Sequence, residues 1–371
     1  NHTLESRLLT PKFNKTVILI VDALRFDFAI PVDQNQPKFN PLYHNNMPVF
    51  HNSHIDTLNG SSLLLKFIAD PPTTTLQRLK GLTTGSLPTF VDAGSNFAGE
   101  TIEEDNLIKQ FYLNKKDVWF AGDDTWDALF SPFLSNQSIP YESLNVWDLH
   151  TVDNGVIQFF NDNLINEPKN HQWDVLIGHM LGVDHVGHKY GPNHHTMREK
   201  QQQVNNFIQD IINALDDDTL LVVMGDHGMD HTGNHGGDSI DELESTIFFH
   251  SKKQNIVNKL TDSQYDVSNL GKSYRSINQI DLVSTLSLLM GLPIPFNNLG
   301  WPIKEFFNND AKTQEQVTEI MMNQLLNYKS TIGLEFNNAK QNVITNLLNE
   351  LVLLKNFDFN LGHQYESEFL E

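Results

Sequence analysis

The chain has 371 residues, no cysteine, and a formal net charge of −21 from 25 basic and 46 acidic side chains. That charge excludes docking along a nucleic-acid backbone and argues against binding anionic lipid by electrostatics alone. The missing cysteine excludes disulfide frameworks, thiolate metal ribbons, thiol nucleophiles and iron–sulfur clusters.

With 39% hydrophobic and 19% charged residues, the composition is that of a globular protein large enough for one α/β domain or two smaller ones. Four Asn-x-Ser/Thr acceptors, at Asn1, Asn14, Asn59 and Asn136, lean toward the secretory pathway. No apolar run reaches the roughly 18 residues that a bilayer-spanning helix needs.

In chain order, Thr16 to Val21 is β-branched and apolar, which predicts a buried strand with Asp22 at its end. Thr75 precedes a helix-like run, Leu76 to Leu82, that ends near Gly85. Helical periodicity follows over Glu104 to Leu113. Val118 to Ala121 predicts a strand leading into Gly122-Asp123-Asp124, and Trp173 to Ile177 another leading into Gly178-His179. Thr196 to Leu215 predicts a helix with Val204, Phe207, Ile208, Ile211 and Ile212 on one face. Leu220 to Met224 predicts a strand that runs into Gly225-Asp226-His227. Beyond it, Ile280 to Met290 and Gln316 to Lys355 read as helices, with Pro293, Pro295 and Pro302 interrupting the stretch between them. Alternating strands and helices predict an α/β fold whose mostly parallel central sheet carries helices on both faces. Ligands in such sheets sit beyond the carboxyl ends of the strands, where the acidic and His residues fall.

Four distant segments carry groups suited to a two-metal site. Asp22 closes a buried strand, where a carboxylate must be paired, metal-bound, or used as a helix cap. Asp226 and His227 sit together on a turn after a buried strand, with Gly225 and Gly228 allowing the backbone to bend. Asp184 and His188, four residues apart, share one face of a helical turn. His235 lies in the Gly-rich run Gly233-Asn234-His235-Gly236-Gly237. His179, His185, His194, His195 and His231 stay outside the metal set, because 16 histidines make single ones uninformative. Carboxylates and imidazoles without thiolate suit zinc, with manganese as the alternative. A threonine hydroxyl at a helix start faces free N–H groups and suits a phosphate, or simply caps the helix. The residue chemistry leaves Thr73, Thr74 and Thr75 equally open for that role.

The whole ordered set resembles the metal-binding signature of the alkaline phosphatase superfamily, over roughly residues 16 to 237. The runs Val21 to Phe28, Asp70 to Lys80, Leu82 to Phe90, Gly122 to Trp126 and Gly182 to Lys189 resemble the GPI ethanolamine phosphate transferases in particular. Among these the match is best to enzymes acting on the third mannose, and it covers about residues 15 to 250. The resemblance implies one metal on Asp184, His188 and His235, and another on Asp22, Asp226, His227 and the nucleophile. Counting ten residues back from Gly85, as the superfamily spacing implies, makes that nucleophile Thr75. It also implies two Zn2+ ions, phosphatidylethanolamine as donor and a GPI glycolipid precursor as acceptor. A covalent phosphothreonine-type intermediate would link the two half-reactions. Asp123, Asp124 and Trp126 are candidates for the ethanolamine ammonium, with structural roles as the alternative.

The same resemblance divides the chain into a linker (1–15), a catalytic domain (16–310) and a carboxy-terminal helical segment (311–371) leading toward a membrane region outside the chain. It implies a lumenal domain of an endoplasmic reticulum membrane protein, with a small membrane subunit as a further partner. A two-zinc phosphodiesterase or phosphatase using water as acceptor is the alternative reading. A non-catalytic carbohydrate- or lipid-binding domain is a third, against which the intact ligand set argues.

Overall fold

The computed structural model describes residues 8–55, 60–87, 101–166, 172–253, 255–257, 274–307 and 310–332. Asn1 and Asn59, and the helical reading beyond Ile332, lie outside the described residues.

Eight strands form one sheet in the order β4-β3-β5-β1-β6-β7-β2-β8. They are β1 (Lys15–Val21), β2 (Ser62–Ile68), β3 (Val118–Asp123), β4 (Ile139–Tyr141), β5 (Val175–Met180), β6 (Thr219–Met224), β7 (Glu244–His250) and β8 (Ser276–Asn278). Every pairing is parallel except those of β7, which runs antiparallel to β6 and β2. The central strands β1, β5 and β6 are buried on both faces, which is why they read as unbroken apolar runs. Along β1, Ile18 and Ile20 enter one core, while Val17, Leu19 and Val21 enter the other.

Helices cover both faces. On the first lie α1 (Thr75–Thr84), through Leu79 and Leu82, and the carboxy-terminal helix Ala311–Ile332, through Val317 and Met321. On the second lie α2 (Thr151–Phe160), α3 (Gly182–Tyr190) and α4 (His195–Ala214), the last through Val204, Phe207, Ile208 and Ile211. Four strands escape the sequence reading. In β2, Lys66 interrupts the apolar run and pairs at 2.7 Å with Glu244 on the neighbouring β7.

On that edge, His250 of β7 faces Ser62 of β2, its Nδ1 at 2.6 Å from the Ser62 hydroxyl. Burial, with the charge of Lys252 second, pulls His250 down to about 4. Unfolded, it titrates near 6.5. The stability due to neutral His250 is therefore full above pH 6.5 and is lost as pH falls through about 4. We expect His250→Gln to remove about 3 kcal/mol of the stability change between pH 7 and pH 4. Denaturant unfolding at both pH values checks this, and an unchanged pH dependence contradicts it.

Candidate metal centre

The strand ends deliver the site. Asp22 follows β1, Asp226 and His227 follow β6, and Asp123 ends β3. Helix α3 carries Asp184 and His188 one turn apart, and α1 opens with Thr75 as its first residue. Two chelating sets result: Asp184, His188 and His235, and Asp22, Asp226 and His227. The His227 and His235 rings stack at 4.0 Å between centroids, so the two sets are neighbours. Thr75 Oγ1 lies 3.2 Å from Asp22 Oδ2 and 3.4 Å from His227 Nε2.

Hydrogen bonds behind the imidazoles fix their tautomers. His235 Nδ1 donates to the Thr73 carbonyl at 2.7 Å, and His227 Nδ1 donates to the Gly228 carbonyl at 2.8 Å. A carbonyl only accepts, so the proton sits on Nδ1 and each Nε2 turns a lone pair toward the carboxylates. His188 Nε2 and His235 Nε2 face each other at 3.0 Å, and each is 3.4 Å from an Asp184 oxygen. His227 Nε2 is 3.4 Å from Asp22 Oδ1 and 3.3 Å from Asp226 Oδ2. Those separations match the roughly 3.3 Å edge of a tetrahedron around zinc with bonds near 2.0 Å. Asp22 Oδ1, Asp184 Oδ1 and Asp226 Oδ2 are buried without any hydrogen-bond partner, a cost that a cation removes. The residues present fit two divalent ions.

The electrostatics agree. Burial, reinforced by the charges of Asp22, Asp226 and Asp123, pushes the Asp184 carboxyl well above its ordinary range. Burial and Asp22 raise Asp226 in the same way. Asp22 goes the other way: burial opposes its charge, but His179 and His227 hold it below the usual carboxylate range. Burial lowers both His188 and His235, which favours the neutral, metal-binding form. A cation entering this cluster displaces protons from the raised carboxylates.

The three threonines left open by sequence separate cleanly. Thr73 is fully buried, its hydroxyl donating to the Gly237 carbonyl at 2.9 Å and accepting from Gly236 N–H at 2.8 Å. Thr74 is the N-cap residue of α1. Of the three hydroxyls, that of Thr75 is the one hydrogen-bonded to a residue of the two metal sets, whereas Thr73 reaches His235 only through its backbone carbonyl. Gly85 closes α1 in the left-handed conformation at φ 70°. Gly225 and Gly228 are glycine for a different reason than bending, since neither has positive φ. A Cβ on Gly228 would collide with the Asp241 carbonyl, and one on Gly225 would meet the Leu24 carbonyl at 2.6 Å.

His179, set aside in sequence, is wholly buried beside Asp22, its Nε2 3.4 Å from Asp22 Oδ2. With Asp22 and Asp123 it makes a third set close enough to chelate. The Trp126 indole donates to its Nδ1 at 3.0 Å, which leaves the proton of a neutral ring on Nε2. Neither nitrogen then offers a lone pair to a metal, so His179 lines Asp22 rather than joining the ligands. The adjacent apolar core was the only sequence signal for it. Trp126 itself is 2% exposed and stacks on Phe120 at 5.3 Å, so its face is closed to an ammonium ion. Asp123 is buried and caps Thr125 N–H at 2.8 Å, while Asp124 accepts from Ser143 at 2.7 Å. Trp126 and Asp123 are thus taken up by packing and capping, while Asp124 is half-buried.

This sheet with its metal-ready strand ends has the alkaline phosphatase superfamily fold. More narrowly, the chain belongs to the type I phosphodiesterase / nucleotide pyrophosphatase family, whose model matches residues 45–278. It is 59% identical over 370 residues to GPI ethanolamine phosphate transferase 3 of Saccharomyces cerevisiae, covering 99% of this chain and 36% of that protein. It is 43% identical over 311 residues to the catalytic subunit of the human GPI ethanolamine phosphate transferase 3, covering 82% and 27%. The chain thus spans about a third of the length of these relatives. Among solved structures, the lipoteichoic acid synthase LtaP of Listeria monocytogenes shares the fold with TM-score 0.50 at 14% identity, covering 76% of this chain and 72% of that one. A 2-O GAG sulfatase does so with TM-score 0.50 at 13% identity, covering 79% and 73%.

Proposed function

We propose that this chain transfers ethanolamine phosphate from phosphatidylethanolamine to a mannose hydroxyl, the third, of a GPI anchor precursor, with Thr75 as covalent carrier. The observation that carries the reading is the Thr75 hydroxyl, on the first residue of α1 and 3.2 Å from Asp22. The chain's 59% identity to a protein named GPI ethanolamine phosphate transferase 3 supports ethanolamine phosphate as the transferred group and a GPI as acceptor. On this reading the chain works in the endoplasmic reticulum lumen beside membrane-embedded parts of the same protein and a small membrane subunit.

Asp184, His188 and His235 would hold one ion, and Asp22, Asp226, His227 and Thr75 the other. Bound there, two Zn2+ ions, or Mn2+, supply positive charge that lowers a hydroxyl pKa and offsets charge on phosphoryl oxygens. Thr75 Oγ1 gives up its proton and attacks the donor phosphorus while the bond to the diacylglycerol oxygen breaks, and that oxygen leaves with the electron pair and takes a proton. Free N–H groups in the first turn of α1 face the phosphoryl oxygens, where the helix dipole favours negative charge. The mannose oxygen then attacks phosphorus and gives up its proton, and Thr75 Oγ1 departs to be reprotonated.

Supplying phosphatidylethanolamine and a mannosylated GPI precursor tests the proposal. Diacylglycerol release matched by acceptor modification is expected. Release matched only by free ethanolamine phosphate would favour the water-using phosphodiesterase. His235→Ala should bind one zinc ion instead of two, with affinity for the lost ion down at least about tenfold. Native mass spectrometry reads the count, and loss of both ions would contradict the division of ligands.

A further inference from the structure

Helix α3, which presents Asp184 and His188, begins without a cap of its own. Its N-cap residue is Leu181, whose side chain has nothing to offer the free N–H groups of the first turn. They are met from elsewhere. Asp153 of α2 accepts from both Leu181 N–H and Gly182 N–H through Oδ1, each at 2.9 Å. Its other oxygen, Oδ2, receives Lys200 Nζ of α4 at 3.0 Å, and Lys200 also donates to Gln203 at 2.8 Å. Asp153 and Lys200 are 1% and 2% exposed. A buried carboxylate and ammonium are costly unless every partner is in place. Here the carboxylate has three partners and the ammonium two, drawn from three helices at once.

We infer that the buried Asp153–Lys200 pair is a positioning device for the metal centre, fixing the start of α3 so that Asp184 and His188 meet His235. Neither residue is among the chelating sets. Gly182 belongs to the same device, since a Cβ there would collide with Asp153 Oδ2 and meet the Lys200 stem at 2.8 Å. The pair anchors the helix dipole with an anion at its positive end and neutralises that anion from behind. An apolar pair would fill the space but leave the Leu181 and Gly182 N–H groups unmet.

The inference rests on the metal reading for its consequence, and two readouts separate them. Amide hydrogen exchange in the metal-free protein reads the clamp alone. Zinc competition with a chelator reads its effect on each site, with His235→Ala marking which release step belongs to Asp184 and His188. For Asp153→Leu/Lys200→Met, which leaves no buried charge unpaired, we expect faster exchange confined to the first turn of α3. Zinc affinity should fall 10- to 100-fold at the Asp184 site and stay unchanged at the Asp22 site. Gly182→Ala should show the same selectivity. Unaltered exchange at Leu181 and Gly182, or equal loss at both sites, would overturn the inference. Wild-type protein that binds no zinc would defeat the metal reading, and exchange would still decide the clamp.

Discussion

Thr75→Ala should lower the rate of diacylglycerol release by on the order of 10^3-fold or more, with zinc still bound at both sites. The size follows from removing the one atom that, on the proposed mechanism, bonds to phosphorus. Retention of metal follows from the protein ligands that remain: three around one ion, and Asp22, Asp226 and His227 around the other. The fold should tolerate the change, because the Thr75 hydroxyl serves no backbone group, whereas that of Thr73 ties down Gly236 and Gly237. Thr73→Ala should therefore destabilise the loop bearing His235 instead. Steady-state release kinetics together with a zinc count check both statements, and normal turnover by Thr75→Ala would exclude it as nucleophile.

Asp184→Asn should have opposite effects on stability with and without metal. Asp184 is buried among Asp22, Asp226 and Asp123, and burial and their charges raise its pKa well above the ordinary value. A carboxyl raised in the folded state contributes full stability below its unfolded pKa, near 3.9, and loses it as pH rises through the folded value. At pH 7 to 8 the metal-free wild type therefore carries a cost that an amide, which cannot ionise, avoids. The metal-free variant should be more stable than wild type by about 1–3 kcal/mol. Excess zinc should reverse the order, since only the intact set gains binding free energy in the folded state. Thermal unfolding in chelator and in zinc reads both. A variant less stable under both conditions would contradict the account of a charge cluster built to receive cations.

Much of this candidate centre is legible in sequence because several of its proposed ligands fall at the ends of apolar runs. Asp22, Asp226 and His227 each follow a strand buried on both faces, where a polar side chain has few bland explanations. Asp184 and His188 are legible through helical spacing alone. His179 is not: it lies inside β5, and only tertiary packing shows it against Asp22 and Trp126. Trp126 misleads for the same reason, since burial in the core is invisible in a short run beside two carboxylates. The Asp153 clamp joins positions 28 and 29 residues apart to a lysine 47 residues away, with no local pattern to announce it. Ala23 adds another case, adopting φ 57° beside the metal set with its N–H on Asp226 at 3.2 Å. The antiparallel strand β7 is missed because Glu244, Ser245 and Thr246 make the first half of its run polar, although Ser245 and Thr246 are fully buried in the sheet.

The most direct test of the central claim is the intact native mass of the zinc-supplied protein after incubation with phosphatidylethanolamine. Two zinc ions and an ethanolamine phosphate adduct, mapped by peptide analysis to Thr75, are the predicted result. A protein that takes up no zinc even when it is supplied, and carries no adduct, would contradict the account.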